Sequence, residues 1–273
     1  MKKRIGIGIT ILILVIGVVI TNVVLNDDFK KNTIEDDTSR VAFEDDAMKA
    51  LIAETVGVES VDELHIDDLE KVEALNIGYT GYYDTLLDVV KCQNLDEFVI
   101  GEPEYAFCHY YRRGKEIPGP ESKERMEQIE SELEVILEKC PNINTLYISN
   151  KNGNCELNSL EFLKNGDGVV ALNIEYQPEI DYSIISECKN LKTLSLYESD
   201  VSELGMISEL GELCYLNIAG TNISEAEDIL KLKNLEYLAI NNTPLAENQE
   251  QLALIYQQFP DIDIYTGEDD LGN

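Results

Sequence analysis

The residues that could perform catalysis are few and poorly spaced. Among 273 residues there are two histidines, His65 and His109, and neither lies in a metal-binding or nucleophile motif. Cys108 and His109 are adjacent, and because neighbours on an extended strand point to opposite faces, they make a poor nucleophile–base pair. The 53 acidic residues supply carboxylate pairs throughout the chain, so they do not mark a glycosidase site. No phosphate loop, G-x-S-x-G or H-E-x-x-H motif occurs, and we expect neither an enzyme nor a bound cofactor.

Three of the six cysteines occupy one position of a repeated pattern. Cys92, Cys140 and Cys188 each lie three residues before an apolar strand motif, at the position where later copies have Leu210 and Leu232. Free cysteine is among the most buried residue types, so we expect these thiols to replace leucine in a core. The alternative is a disulfide between Cys92 and Cys140 in consecutive repeats, as in many exported proteins. No C-x-x-C pair is present for zinc or redox chemistry.

From Leu191 onward the chain repeats itself every 22 residues. Leu194, Leu216 and Leu238 are separated by this interval, and other apolar columns keep the same step. A period in the low twenties with L-x-x-L-x-L spacing is the signature of a leucine-rich repeat. Each copy buries only one face of a short strand and must stack on a neighbour. The sequence therefore predicts an α/β solenoid, a leucine-rich repeat horseshoe with a parallel sheet on the concave side and short helices or turns on the convex side.

The same spacing extends upstream and predicts seven strands, at 72–77, 95–100, 143–148, 169–174, 191–196, 213–218 and 235–240. About two repeat lengths separate the second strand from the third, and we interpret 102–140 as an irregular insert. Residues 102–120 are expected to form a loop or hairpin, and 121–140 an oversized convex helix. Ser224 and Glu227 have the spacing of a capping box for a later convex turn.

The amino terminus predicts a membrane anchor. Basic residues at 2–4 precede an apolar run from Ile5 to Leu25, which at about 1.5 Å per residue can cross a hydrocarbon core of roughly 30 Å. The positive end should stay in the cytoplasm, so we expect a single-pass protein of the cell membrane with the repeats outside. A cleaved signal, giving a secreted protein, is the alternative, although no A-x-A-like site follows the run.

Composition and patterning give the remaining boundaries. Met48, Leu51, Ile52 and Val56 follow helical spacing, with Gly57 as a helix stop, and predict an amino-terminal helical cap. The expected order is an anchor or signal segment at 1–25, a polar linker at 26–40, the cap at 41–71, leucine-rich repeats at 72–245, and a carboxy-terminal cap and tail at 246–273.

The cap and the repeats resemble a known family. The stretch VAFEDDAMKALIAETVG at 41–57, with DDLEKVEALNI at 67–77, is similar to the helical cap of bacterial internalin-type surface proteins. The run LNIAGTNIS at 216–224 is similar to their 22-residue repeats, with Ser199, Thr221 and Thr243 where the family usually has asparagine. The chain shows no L-P-x-T-G sorting motif, and the amino-terminal segment is expected to anchor it instead. The resemblance implies protein or glycan binding by the concave face, without naming a ligand.

Outward strand positions align into three columns on the concave side. They are rich in Tyr, Asn, Ser and Thr, which suits recognition, although exposed strands favour Tyr and Thr on propensity alone. We predict ligand contacts from Tyr147, Asn173, Thr193, Ser195, Tyr197, Tyr215, Asn217, Tyr237 and Asn241.

The insert is a second candidate surface. If 105–111 is extended, four side chains share one face: Tyr105, Phe107, His109 and Tyr111. They could cover an end of the solenoid. Alternatively, this protein is an envelope accessory component that pairs with another surface protein through the insert.

The net charge of −32 excludes nucleic acid and anionic headgroups as partners. Such a chain favours cationic partners or loosely held divalent ions, although the simpler interpretation is that the charge keeps an exported solenoid soluble. Acidic runs at 44–46 and 268–270 lack EF-hand spacing. We expect a monomer.

Overall fold

Eight short parallel strands form one open sheet in sequence order. A computed structural model describes residues 41–102 and 118–267. Each of the seven predicted strand motifs overlaps a strand, and an eighth strand follows the alternation of Ile262 and Ile264. The strands are β1 (Ala74–Gly78), β2 (Glu97–Ile100), β3 (Thr145–Ser149), β4 (Ala171–Glu175), β5 (Thr193–Ser195), β6 (Tyr215–Asn217), β7 (Tyr237–Ala239) and β8 (Asp263–Tyr265).

The leucine columns stack as their spacing predicts. Leu194 pairs with Leu216, and Leu216 pairs with Leu238, on adjacent parallel strands. All three side chains are fully buried, and burying a leucine contributes roughly 1.5–3 kcal/mol. The leucine-rich repeat solenoid is confirmed.

The return segments are mostly 3₁₀ turns, as the compact repeat requires. They cover Leu87–Lys91, Glu161–Asn165, Ser183–Glu187, Gly205–Ile207, Ile229–Lys231 and Pro244–Glu247, with shorter turns at Val61–Glu63 and Thr80–Tyr82. Each return segment that precedes β2, β3 or β5 is followed by a buried cysteine: Cys92, Cys140 and Cys188. These cysteines occupy the position that leucine has in later repeats, as the sequence predicts.

The capping box expected at Ser224 and Glu227 is wrong. The turn begins only at Ile229. Its N-cap residue, Asp228, makes no side-chain capping bond, and amides of the preceding segment bond to other parts of the solenoid. Asn222 donates its amide proton to the Val201 carbonyl (2.9 Å), and Ala226 donates to the Gln251 side chain (3.0 Å).

Four α-helices complete the part of the fold that the structure describes: α1 (Asp46–Val56), α2 (Ile66–Leu69), α3 (Lys123–Lys139) and α4 (Gln249–Gln258). Helix α1 matches the predicted cap helix and ends at Gly57, whose φ is 77°. Helix α3 is the oversized helix predicted at 121–140, in the second part of the insert, and it buries Met126, Ile129 and Leu133.

A buried carboxylate fastens α1 to the first repeat. Asp88 has no exposed surface and accepts hydrogen bonds from the backbone amides of Glu44 (2.9 Å) and Asp45 (2.8 Å). It also pairs with Lys91. Asp45 in turn accepts from the Asp84 amide (2.5 Å). Charge-assisted bonds of this kind satisfy carboxylates that burial would otherwise penalise.

None of the helices in the described ranges is both long and apolar enough to cross a membrane. The predicted anchor, Ile5–Leu25, lies outside those ranges. So do the insert residues Tyr105, Phe107, His109 and Tyr111.

Several strands are followed, within three residues, by a residue whose backbone is in the left-handed conformation. Positive φ occurs at Tyr176 (58°), Glu198 (53°), Gly220 (73°) and Asn242 (58°), 22 residues apart, and at Gly101 (81°). Gly101 is further constrained, because a Cβ there would lie 2.1 Å from the backbone oxygen of Ser149. Glycine at this position therefore permits the close approach of two adjacent repeats.

We expect Gly101→Ala to lower the free energy of unfolding by at least about 2 kcal/mol, since the left-handed conformation and the backbone overlap both oppose a side chain. Urea denaturation of the two proteins measures the change. Gly205→Ala is the matched control, because a Cβ at Gly205 meets no atom within 4 Å. Equal stability of Gly101→Ala and the wild type would contradict the close packing of the repeats.

Candidate binding site on the sheet face

The outward positions of the strands form the predicted columns, which together make up the sheet face. In the first column Thr145, Ala171, Thr193, Tyr215 and Tyr237 are consecutive partners in the parallel register. The core side chains alternate with them, so the register that aligns leucines inside also aligns these residues outside. Thr193 and, in the second column, Asn173 are half-buried on this face.

Tyr215 and Tyr237 form a stacked pair on neighbouring strands. Their ring centroids are 4.5 Å apart and their planes differ by 6°. Because adjacent strands lie about 4.8 Å apart, the rings stack across β6 and β7 with their faces turned toward each other. Stacking covers one face of each ring, so a ligand at this pair would meet ring edges, hydroxyls and the two outer ring faces.

The pair lies in a hollow of about 310 Å³ on the carboxy-terminal half of the sheet face. We call it the tyrosine hollow; its lining residues are Tyr197, Tyr215, Asn217, Ala219, Tyr237, Ala239, Asn241 and Tyr265. Ala219 and Ala239 are buried, and their small side chains leave room between the larger ones. The structure thus brings five predicted contacts, Tyr197, Tyr215, Asn217, Tyr237 and Asn241, into one depression.

Ser195 and Asn217 are on this face but below its surface, with 3% and 7% exposure. The Ser195 hydroxyl donates to Glu175 (2.8 Å), and the Asn217 side-chain oxygen accepts from the Ala219 amide (3.1 Å). Alternation along a strand predicts which way a side chain points, not how deeply its neighbours cover it. These two residues hold the local structure of the face.

Glu175 is a buried carboxylate at the end of β4, with 3% exposure. It accepts hydrogen bonds from Ser195 on the following strand and from the hydroxyl of Tyr147 on the preceding strand. Next to it, the ring of Tyr176 packs edge-on against Tyr197, with centroids 5.4 Å apart. The predicted contact Tyr147 is thus part of a carboxylate-centred network that spans three strands.

The contacts predicted from the sequence omit several residues of this face, among them Glu175, Tyr176 and Tyr265. Glu175 stands in the third column, but its acidity gave no reason to single it out among 53 acidic residues. Tyr265 belongs to β8, which pairs 26 residues after β7 instead of 22. The same longer step separates the predicted strands 143–148 and 169–174. It could therefore have indicated that Tyr265 lies on a further strand of the sheet.

The described cysteines are free thiols in environments that disfavour the thiolate. Burial raises the pKa of Cys92 to about 12 and the pKa of Cys140 and Cys188 to about 11. Burial also raises the pKa of Cys155 to about 12. Because the thiolate is the nucleophile, none of these four groups is activated for covalent chemistry at neutral pH. Within 41–102 and 118–267, no three His, Cys, Asp or Glu side chains are grouped to hold a metal ion.

We expect iodoacetamide to label Cys92 and Cys140 in the native protein on the order of 100-fold more slowly than in urea, because burial suppresses the thiolate and blocks access. Peptide mass spectrometry measures the labelling. Cys214, which is partly exposed, is the internal control and should react faster in the native state. A Cys92–Cys140 link that survives in unreduced, urea-unfolded protein would contradict the free-thiol structure.

The chain matches no protein-family model and no curated protein sequence. Its structure is similar to internalin C2 from Listeria monocytogenes, with a TM-score of 0.51 and 16% identity over 81% of this chain and 83% of that one. It is also similar to internalin F from the same organism, with a TM-score of 0.53 and 17% identity over 82% of this chain and 56% of that one. The protein therefore has an internalin-like leucine-rich repeat fold, and at these identities the similarity concerns the fold alone.

Proposed function

We propose that this protein binds a segment of another protein in the tyrosine hollow of its sheet face and performs no catalysis. The observation that carries the proposal is the hollow itself, where side chains on or just after four consecutive strands line about 310 Å³ of space. Tyrosine gives a large contact area at low entropic cost, and it is enriched among residues that dominate binding energy.

The orientation of the tyrosines favours a protein over a glycan. Sugars pack their C–H groups against the flat, electron-rich face of an aromatic ring. At Tyr215 and Tyr237 one face of each ring is covered by the other ring, 4.5 Å away, which halves the ring surface open to a sugar. Ring edges, hydroxyls and the amide of Asn241 suit instead the alternating donors and acceptors of a polypeptide backbone.

The hollow is well ordered before a ligand arrives. The stacked pair restrains Tyr215 and Tyr237, and the edge-on packing against Tyr176 restrains Tyr197. Asn217 is fixed from below by the Ala219 amide. Less side-chain entropy is then lost on association, which supports binding by a surface of modest size.

We also propose that binding takes place outside the cytoplasm. The basic residues at 2–4 and the apolar run Ile5–Leu25 support an exported protein that stays tethered to the membrane, or a secreted one if the segment is cleaved. The net charge of −32 supports solubility and argues against nucleic acid as the partner.

A second candidate function uses the insert, and one observation favours it. Glu102 and Glu121, two described residues that flank the insert in sequence, both bond to residues at one 3₁₀ turn, Thr80–Tyr82. Glu102 accepts from the Tyr79 hydroxyl (3.1 Å), and Thr80 donates its hydroxyl proton to Glu121 (2.9 Å). In this second function the protein is an envelope accessory component, and its insert pairs it with another surface protein.

We expect Tyr215→Ala with Tyr237→Ala to reduce capture of the partner at least tenfold, since each truncation of an interface tyrosine typically costs about 1–2 kcal/mol. Full-length protein in mild detergent serves as bait for envelope extract, and quantitative mass spectrometry compares the variants. Tyr256→Ala is the matched control, because Tyr256 is 48% exposed on α4.

Unchanged capture by the double variant would contradict the sheet-face proposal. Loss of capture only when 103–117 is replaced by a glycine–serine linker would support the second candidate. A thermal melt of each variant separates loss of binding from loss of fold.

A further inference from the structure

We infer that the bound segment is rich in proline and is anchored by a proline residue on the floor of the tyrosine hollow. The floor consists of the buried lining residues, Asn217, Ala219 and Ala239. This inference rests on the proposed function, since it names the chemistry of the segment that the hollow would select. Three properties of the floor lead to it: an unpartnered hydrogen-bond donor, a lack of acceptors and a lack of charge.

Asn217 supplies the donor. Its Oδ1 atom accepts a hydrogen bond from the backbone amide of Ala219 (3.1 Å). That bond fixes the side-chain amide, because only the oxygen can accept, and Nδ2 is turned away from Ala219. In the described part of the chain, Nδ2 donates to no group. Protein does not enclose this nitrogen, so its N–H groups reach the hollow and require an acceptor from the partner.

The floor, which lies wholly within the described residues, offers no acceptor to an N–H group of the partner. The Oδ1 atom of Asn217 is occupied, and Ala219 and Ala239 present methyl groups. The backbone carbonyls of all three residues accept from amides of the preceding repeat: Leu196 to Asn217 (2.8 Å), Glu198 to Ala219 (2.8 Å) and Ile218 to Ala239 (2.9 Å). A peptide N–H placed on the floor would therefore lose its hydrogen bond to water without replacement.

The hollow is uncharged in a strongly acidic protein. None of the described residues that line it is acidic or basic, although the chain has a net charge of −32. A charged side chain placed on the floor would exchange water for methyl groups and one amide, without a counterion. The residue that reaches the floor is therefore uncharged.

Proline meets all three conditions. Its nitrogen carries no proton, its ring is apolar, and the carbonyls of a polyproline II helix make no internal hydrogen bonds. Asn217 and Ala239 are register partners on adjacent strands, about 4.8 Å apart, so a carbonyl on Asn217 and a ring on Ala239 can come from neighbouring residues of one segment. Such a segment is ordered before it binds, which lowers the entropic cost. At the rim, the Asn241 amide can accept from N–H groups of flanking residues.

The test uses three fluorescein-labelled peptides of equal length: oligoproline, glycine alternating with serine, and glycine alternating with arginine. Fluorescence anisotropy measures their binding to full-length protein in non-ionic detergent, at physiological ionic strength. We expect oligoproline to bind at least about tenfold more tightly than the serine peptide. The arginine peptide reports attraction to the acidic surface outside the hollow.

Asn217→Asp tests the donor. It keeps the size of the side chain and an oxygen that accepts from Ala219, but it replaces the donor by a carboxylate oxygen that repels a carbonyl. We expect oligoproline to bind at least about tenfold more weakly. Asn76→Asp is the matched control. Asn76 occupies the same column on β1, and its Oδ1 atom accepts from the Gly78 amide (2.9 Å). Because it lies far outside the hollow, we expect a change of less than about twofold.

Ala239→Leu is the second variant, and it decides the matter if a thermal melt shows that Asn217→Asp fails to fold. The longer side chain fills the floor, so we expect at least about tenfold weaker binding of oligoproline. Ala171→Leu, at an outward position of β4 outside the hollow, is its control and should bind oligoproline like the wild type. Binding of the arginine peptide should be the same in Ala239→Leu as in the wild type.

Weaker binding of oligoproline to Asn217→Asp or Ala239→Leu, with both controls unchanged, supports the inference. Oligoproline that binds no more tightly than the serine peptide would overturn it, and so would unchanged binding to a folded Asn217→Asp or Ala239→Leu variant. Loss of arginine-peptide binding in Ala239→Leu would also overturn it, because the anchor would then be charged. In each of these cases the proposed function stands if Tyr215→Ala with Tyr237→Ala still reduces capture from envelope extract. If capture is unchanged as well, both proposals fail.

Discussion

The parallel register between repeats is the constraint on which the rest of this structure depends. No single repeat can shelter its apolar side from water, so Leu194, Leu216 and Leu238 must lie side by side on successive strands. A strand has two faces, and aligning one face aligns the other. The columns of the sheet face are therefore a geometric consequence of core packing, and changes in the outward residues need not disturb it.

This coupling explains how aromatic and polar side chains of the sheet face come together on a few strands. Equivalent positions in adjacent repeats are separated by about one strand spacing, which is close to the distance at which aromatic rings stack. Tyr215 and Tyr237 use that distance directly. Small residues at equivalent positions, Ala219 and Ala239, open the hollow beside them. A carboxylate at such a position, Glu175, can accept from residues on the strands to either side.

Periodicity made most of this fold predictable, because the 22-residue step fixes strands, register and side-chain direction together. Depth was not predictable: Ser195 and Asn217 point outward but are buried, since coverage depends on neighbours in other repeats. Side-chain hydrogen bonds between repeats could not be predicted from the sequence either. The side chains of four asparagines bond to a carbonyl of the preceding repeat or its connection, a partner that no local pattern reveals: Asn94, Asn142, Asn190 and Asn234.

A double-mutant cycle between Tyr215 and Tyr237 tests this account most directly, because their coupling exists only if adjacent repeats are in register. The free energy of unfolding is measured for the wild type, both single alanine variants and the double variant. The stacked geometry predicts a favourable coupling of about 0.5–1.5 kcal/mol, with none between Tyr215 and the distant Tyr79 as a control. Strict additivity of Tyr215→Ala and Tyr237→Ala would contradict the register and the binding face built on it.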